Sequence, residues 1–209
     1  MSNIFNLDNP IWNILNKITD VIILSLLFIV TSVPVVTIGA SLTALYYQMF
    51  RLSENTEGNI VRGYLKSFAE NFKKATPVWI VCLIAGAFLA GDLYICIKMQ
   101  MPAATFFMAV IFVIAVFYVM FVTYLFPLLS RCIADTKKIA FMAFMMSVKE
   151  LPRTIFLVFI TGIMIAVGLF VTAPFLAVAP GVIAFSHVFI FREIFDKYDM
   201  KVEGYHAEQ

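Results

Sequence analysis

Charge is the scarcest ingredient of this chain of 209 residues: 15 Lys and Arg with 13 Asp and Glu make only 13% of it, while 62% is hydrophobic. An ordinary soluble domain carries about twice that share of charge, so a soluble globular protein, a disordered tail and a coiled coil are all excluded. Cysteine is nearly as sparse. Cys82, Cys96 and Cys132 form no CxxC pair and no metal-ligand spacing, which excludes a disulfide framework and leaves buried apolar packing as their expected role. There is no Walker loop, GxGxxG, HExxH or GxSxG, and no two carboxylates share a helical face inside an apolar stretch. The expectation is therefore a non-enzymatic protein with no cofactor and no metal. Nucleic acid is not an expected partner either, because topology alone accounts for where the basic residues fall.

What the chain has instead is long apolar runs. Residues 21–50, 75–91, 99–130 and 154–191 carry no Asp, Glu, Lys or Arg. A bilayer crossing takes about 20 residues, and the last run would be about 57 Å long as one helix, so it must turn back on itself. Pro174, Pro180 and Gly181 are candidate breaks, and a short turn at residues 173–174 leaves two spans of similar length. The first run, extended back to Ile11, divides in the same way around Pro34, Thr37 and Gly39. The fold class is all-α: one polytopic transmembrane helical bundle, residues 1–209, with about six spans at 11–32, 35–51, 78–99, 104–130, 154–173 and 175–193. The alternative is five spans, with the short segment 35–51 re-entrant.

Orientation follows from the basic residues. The connector 51–77 holds Arg51, Arg62, Lys66, Lys73 and Lys74, and the connector 131–153 holds Arg131, Lys137, Lys138, Lys149 and Arg153, against Lys98 alone between them. The positive-inside rule puts both connectors in the cytoplasm, with the C-terminus beside them and, for six spans, the N-terminus too. Residues 1–12 lack a basic start and carry Asp8 and Pro10, so the first helix is expected to stay as an anchor rather than be cleaved.

Each connector contains an amphipathic helical stretch. In the first, Ile60, Tyr64, Phe68 and Phe72 recur every four residues, with Arg62, Lys66 and Lys73 on other faces and Asn59 placed to cap it. In the second, Phe141, Met145 and Val148 share a side, bracketed by Lys137, Lys138 and Lys149. A proline follows each stretch, Pro77 and Pro152, and is expected to open the next span. Helices of this kind suit the inner interface, with aromatic residues in the acyl boundary and cations against anionic headgroups; they also suit docking of a cytoplasmic partner. Arg62, Lys66, Phe68, Lys73, Lys74, Lys137 and Lys138 are the residues that would form that lipid- or partner-facing surface.

Few polar groups fall at membrane depth, and those are the candidate functional residues. Asp92 either snorkels toward the outer headgroups or couples a proton or cation. His187 either packs by hydrogen bonds between helices or relays protons with an acid nearby. Thr37, between Pro34 and Gly39, can satisfy a carbonyl freed by the proline, as part of a structural turn or of a gating element. Gly86 with Ala90, Ala87 with Gly91 and Gly162 with Ala166 have the four-residue spacing of close helix packing, within or between chains. The oligomeric state stays open.

Asn9-Pro10-Ile11-Trp12, the stretch from Pro34-Val35-Val36-Thr37-Ile38-Gly39-Ala40 into Leu42-Thr43-Ala44-Leu45-Tyr46-Tyr47, and Ser67-Phe68 with Glu70-Asn71-Phe72-Lys73-Lys74-Ala75-Thr76 resemble the YesL-like family of uncharacterised bacterial integral membrane proteins. The later spans match it in hydrophobic character and at Phe126-Pro127-Leu128 and Leu151-Pro152. The resemblance implies a multi-pass plasma-membrane protein, mostly of Firmicutes, encoded near carbohydrate uptake and polysaccharide-degradation genes. Besides the lipid bilayer, carbohydrate transporter subunits are the partners that the resemblance implies. It assigns no catalytic or ligand residues. The resulting expectation is an accessory or scaffold protein linked to carbohydrate uptake or sensing, with a small-solute transporter or channel as the alternative.

Overall fold

The computed structural model describes residues 10–56, 58–98, 102–170 and 173–198. Their regular secondary structure is all helical: α1 (Pro10–Thr31), a short 3-10 turn (Val35–Thr37), α2 (Ile38–Ser53), α3 (Ile60–Lys98), α4 (Pro102–Arg131), α5 (Thr136–Lys149), α6 (Leu151–Phe170) and α7 (Ala173–Lys197). Among the described residues four stretches are long and apolar enough to cross a bilayer: Ile60–Lys98, Thr105–Arg131, Leu151–Gly168 and Ala177–Lys197. Large apolar side chains on these helices, such as Phe88, Phe106, Phe112 and Phe159, point away from the protein. So broad an exposed apolar surface suits hydrocarbon as the surrounding medium.

α2 is the hub of the fold. It packs on α1, α3, α4 and α7, and Leu45, Met49, Phe50 and Leu52 are almost completely buried, together with Ser41, Thr43 and Gln48. Its buried hydroxyls are satisfied within the helix: Ser41 Oγ donates to Thr37 O at 3.0 Å and Thr43 Oγ1 to Gly39 O at 2.9 Å. The span expected at 35–51 is thus a 3-10 turn plus a 16-residue helix wrapped by protein. At about 24 Å it is shorter than the hydrocarbon core.

α3 departs most from expectation. The amphipathic connector and the third span form one helix of 39 residues, about 58 Å long, that runs through Pro77 without a break. Proline removes one hydrogen bond from a helix but does not by itself end it where neighbours hold the backbone. Here Ala75 and Thr76 are buried just before Pro77, and a Cβ added at Gly39 would come within 2.9 Å of Ala75 O and collide with Trp79 Cβ. The chain of α2 therefore lies directly against this turn of α3. Asn59 does cap the helix, its Oδ1 accepting from Arg62 N at 3.0 Å. The inward face, however, is Tyr64, Ser67, Ala75 and Thr76, with Phe68 partly buried and Phe72 exposed. The first stretch is thus packed on protein through Tyr64 rather than laid flat with all its aromatics in lipid.

The second connector folds differently. α5 ends at Glu150, whose φ of −105° and ψ of 40° leave the helical region, and Pro152 sits in the first turn of α6, where a missing N–H costs nothing. The same preference corrects the turn expected at residues 173–174. Ala173 and Pro174 belong to the first turn of α7, α6 stops at Phe170, and Pro180 and Gly181 lie within α7.

Of the small-residue pairs, Gly86 packs against the Tyr118 hydroxyl, but Gly91 and Gly162 have no neighbouring atom within 4 Å. The close approach between helices occurs instead at Gly39 and at Gly181. A Cβ at Gly181 would lie 2.6 Å from Val21 O and collide with Ser25 Oγ. That serine joins the two helices: Ser25 Oγ accepts from Gly181 N at 2.9 Å and lies 3.1 Å from Val178 O.

Candidate functional site

The helix ends from which the basic connectors leave are tied together by charge. Arg131, the last residue of α4, pairs with Glu54 at the end of α2 and lies 4.7 Å over the Phe50 ring. Arg192 Nη1 donates to Ser53 O at 3.1 Å, and Arg51 Nη2 to Thr56 O at 2.6 Å. Cations at these C-terminal turns meet carbonyls that have no partner in the helix and complement the helix dipole. Around the α5–α6 junction the buried Glu150 carboxylate accepts from Lys197 Nζ, from Tyr198 Oη at 3.1 Å and from Arg153 Nη1 at 3.2 Å. The Lys197 hydrogen bond, with smaller help from Tyr198 and Arg153, holds the Glu150 carboxyl below its ordinary pKa against the opposing effect of burial. Arg153 reaches on to Glu193 at 3.3 Å.

Deeper in the bundle, His187 joins three helices. Its Nδ1 is 3.0 Å from Tyr46 Oη on α2, and its Nε2 is 3.0 Å from Thr161 Oγ1 and 3.2 Å from Leu157 O on α6. Leu157 O can only accept, and Thr161 Oγ1 already donates to that carbonyl at 2.9 Å. These contacts assign the proton to Nε2 and leave Nδ1 to accept from the Tyr46 hydroxyl. Every polar atom of the imidazole is thereby engaged. Tyr124 makes a similar tie, accepting from Thr154 Oγ1 at 2.9 Å while its ring meets Phe191 edge-on at 5.0 Å.

His187 also forms part of the wall of a cavity of about 720 Å³. Residues of α1, α2, α4, α6 and α7 line it, among them Ile29, Leu45, Val122, Phe126, Ile165 and Ala184. Asp92 takes no part in it. That carboxylate is exposed on the outer surface of α3, so the two ionisable candidates at membrane depth do not meet.

Thr37 is a turn residue in this structure. Its hydroxyl lies against Thr31 O and Pro34 O, pinning the α1–α2 connection, while Trp79 Nε1 donates to Val35 O at 2.7 Å. Tyr64 anchors the same turn from α3, its hydroxyl 2.7 Å from Thr31 Oγ1. Arg62, Lys66, Lys73 and Lys74 are exposed along the first half of α3, with Phe68 half-buried beneath them. Lys137 and Lys138 are exposed on α5 beside Phe141, Phe144 and Met145, which also face outward. Among the described residues no three of His, Cys, Asp and Glu come together as a metal site would require.

Sequence reasoning did not single out Tyr46, Thr161, Glu54 or Glu150. Glu150 alone had a usable signal, a carboxylate set between Lys149 and Arg153 at the end of an amphipathic stretch. The others are ordinary residues of apolar helices until a partner from another helix is known.

No curated protein and no solved structure matches the chain. Residues 21–93 match the family described as "Protein of unknown function, DUF624", and this segment holds α2, the second half of α1 and most of α3, with the Pro34-to-Tyr47 motif inside it. Over these residues the chain is similar to DUF624, the family to which the YesL-like proteins belong.

Proposed function

We propose that this protein is a non-enzymatic accessory or scaffold protein of the bacterial plasma membrane, linked to carbohydrate uptake or sensing, that engages its partners from a basic cytoplasmic face. The observation that carries this reading is the contrast between its two kinds of charge. The cations at the helix ends, Arg131, Arg153 and Arg192, are used up in holding the bundle together, whereas Arg62, Lys66, Lys73 and Lys74 on α3 and Lys137 and Lys138 on α5 stand exposed next to apolar surface. A surface of this composition meets anionic headgroups or an acidic partner. In this reading both termini are cytoplasmic, and the α1–α2 hairpin completes six spans or, if α2 is re-entrant, five. The link to carbohydrate transport rests on the family resemblance.

The alternative is a small-solute transporter. The His187 cavity favours it; the separation of Asp92 from His187 counts against it, since no acid is among the described residues that line that space. One comparison separates the two. An accessory protein co-purifies with transporter subunits from its own membranes and loses them in an Arg62→Glu/Lys66→Glu/Phe68→Ala variant that still folds. Solute flux by the purified protein alone in liposomes, abolished by Asp92→Asn, would overturn the accessory reading.

A further inference from the structure

We propose that the cavity between α4, α6 and α7 is a lateral binding site for one acyl chain of a bilayer phospholipid. The cavity holds about 720 Å³, within the range of sites that enclose a whole small ligand, and far too much to be left as a void in a close-packed bundle. Its wall discriminates between possible occupants. Five of the lining residues are polar, and each already has a partner: Tyr46 and Thr161 on His187, Tyr118 donating to Cys82 O at 2.7 Å, and Thr123 donating to Val119 O at 2.8 Å. Water needs two to four polar partners, and a polar solute needs groups to replace its hydration. This wall has its donors committed elsewhere, and most of its area is hydrocarbon from residues such as Leu42, Val122, Phe126, Ile183 and Ala184.

The mouth opens where such a chain would come from. α4 and α6 meet at the Tyr124–Thr154 hydrogen bond. Farther along, Val119 on α4 and Ile165 on α6 line the cavity and are 44% and 48% exposed, as is Ile29 on α1 at 38%. All three rim positions lie in long apolar helices, so the opening faces hydrocarbon rather than water. From Thr154 to Ile165 is about three turns of helix, roughly 16 Å. The exposed rim therefore lies well away from that hydrogen bond, on the side from which a bilayer chain would enter.

The protein reconstituted in phosphatidylglycerol nanodiscs, with a small fraction of the lipid carrying a diazirine in one acyl chain, provides the test. After photolysis, adducts are mapped by mass spectrometry. The expected result is labelling of Val122, Ile165 or Ala184 at least fivefold above Phe156 and Phe159, which are exposed on α6 but are not part of this cavity's wall. Ala184→Phe, which fills the cavity, is expected to lower the cavity label to the level of those two controls. Ala177→Leu at the wall is a second, milder filling variant should Ala184→Phe fail to fold, and it is expected to lower the label at least twofold. Equal labelling of cavity and control positions overturns the proposal, as does cavity labelling that a folded filling variant leaves unchanged. Labelling by a diazirine fatty acid added from the aqueous phase, with none by the phospholipid, overturns the bilayer as the source.

Discussion

Replacing Gly181 with Ala tests whether helix proximity, rather than helix propensity, governs this bundle. By propensity alone the change helps, since Ala in a helix interior is favoured over Gly by about 1 kcal/mol. The structure opposes it. The new Cβ would lie 2.6 Å from Val21 O, where ordinary contact begins at 3.4 Å, so α1 and α7 must part by about 0.8 Å. Overpacking of this kind costs about 1–3 kcal/mol. The parting also loosens the Ser25 hydrogen bonds to Gly181 N and Val178 O, at about 0.6 kcal/mol each by the average for interhelical bonds in membranes. The balance is a loss of about 2 kcal/mol, equivalent to a Tm lower by roughly 4–8 °C for a chain of this size. Gly91 and Gly162 are the internal controls, because nothing lies within 4 Å of either; there the propensity term stands alone and Tm holds or rises by about 2–4 °C. The assay is thermal unfolding in detergent followed with a thiol-reactive fluorophore, in a background with Cys96 and Cys132 changed to Ser. Buried Cys82 then reports the loss of structure. A Gly181→Ala protein as stable as its parent, or a Gly91→Ala protein that falls as far, would refute the reasoning.

Three further outcomes follow from the hydrogen-bonded groups. Glu150→Gln removes the charge from a buried carboxylate with three donors and is expected to cost about 1–2 kcal/mol at neutral pH, less than a fully buried pair because Lys197 is largely exposed. Since folding lowers the Glu150 pKa, its contribution is present above the unfolded value of about 4.3 and fades as pH falls through the folded value. Unfolding curves between pH 7 and pH 3 should therefore converge for Glu150→Gln and its parent at the acid end, and a constant difference would contradict this. Tyr64→Phe loses the Thr31 contact at 2.7 Å and should lower Tm by about 2–4 °C, with faster protease cleavage in the α1–α2 turn. Tyr46→Phe leaves His187 Nδ1 without its donor and should cost about 1–2 kcal/mol in the same unfolding assay; an unchanged Tm would contradict this.

Much of this architecture was legible because membrane helices write their length and polarity directly into sequence. The apolar runs located every long helix except α3 to within a few residues, and Asn59 announced the start of α3 through its capping chemistry. The errors fall on prolines and on faces. Pro77 and Pro152 follow similar amphipathic stretches, yet only the latter sits at a helix start. The difference lies in Ala75 pressed against Gly39 in one case and, in the other, Glu150 outside the helical region with its carboxylate held by Lys197 and Tyr198. Neither contact is local. Likewise Gly162 has the spacing of close packing and Gly181 reads as a break in sequence, yet it is Gly181 that meets a neighbouring helix and Gly162 that has no atom within 4 Å.

The sequence by itself therefore determined the all-helical class and the rough extent of most of the apolar helices, because each of these depends on composition over a stretch of chain. Tertiary structure alone decided that the short segment 38–53 becomes the buried hub, that Asp92 and His187 stand apart, that Tyr46 and Thr161 complete the histidine's hydrogen bonds, and that an apolar cavity opens between α4, α6 and α7. Those outcomes depend on pairs of residues up to 141 positions apart, and only the packing of one helix on another brings such pairs within a few ångströms.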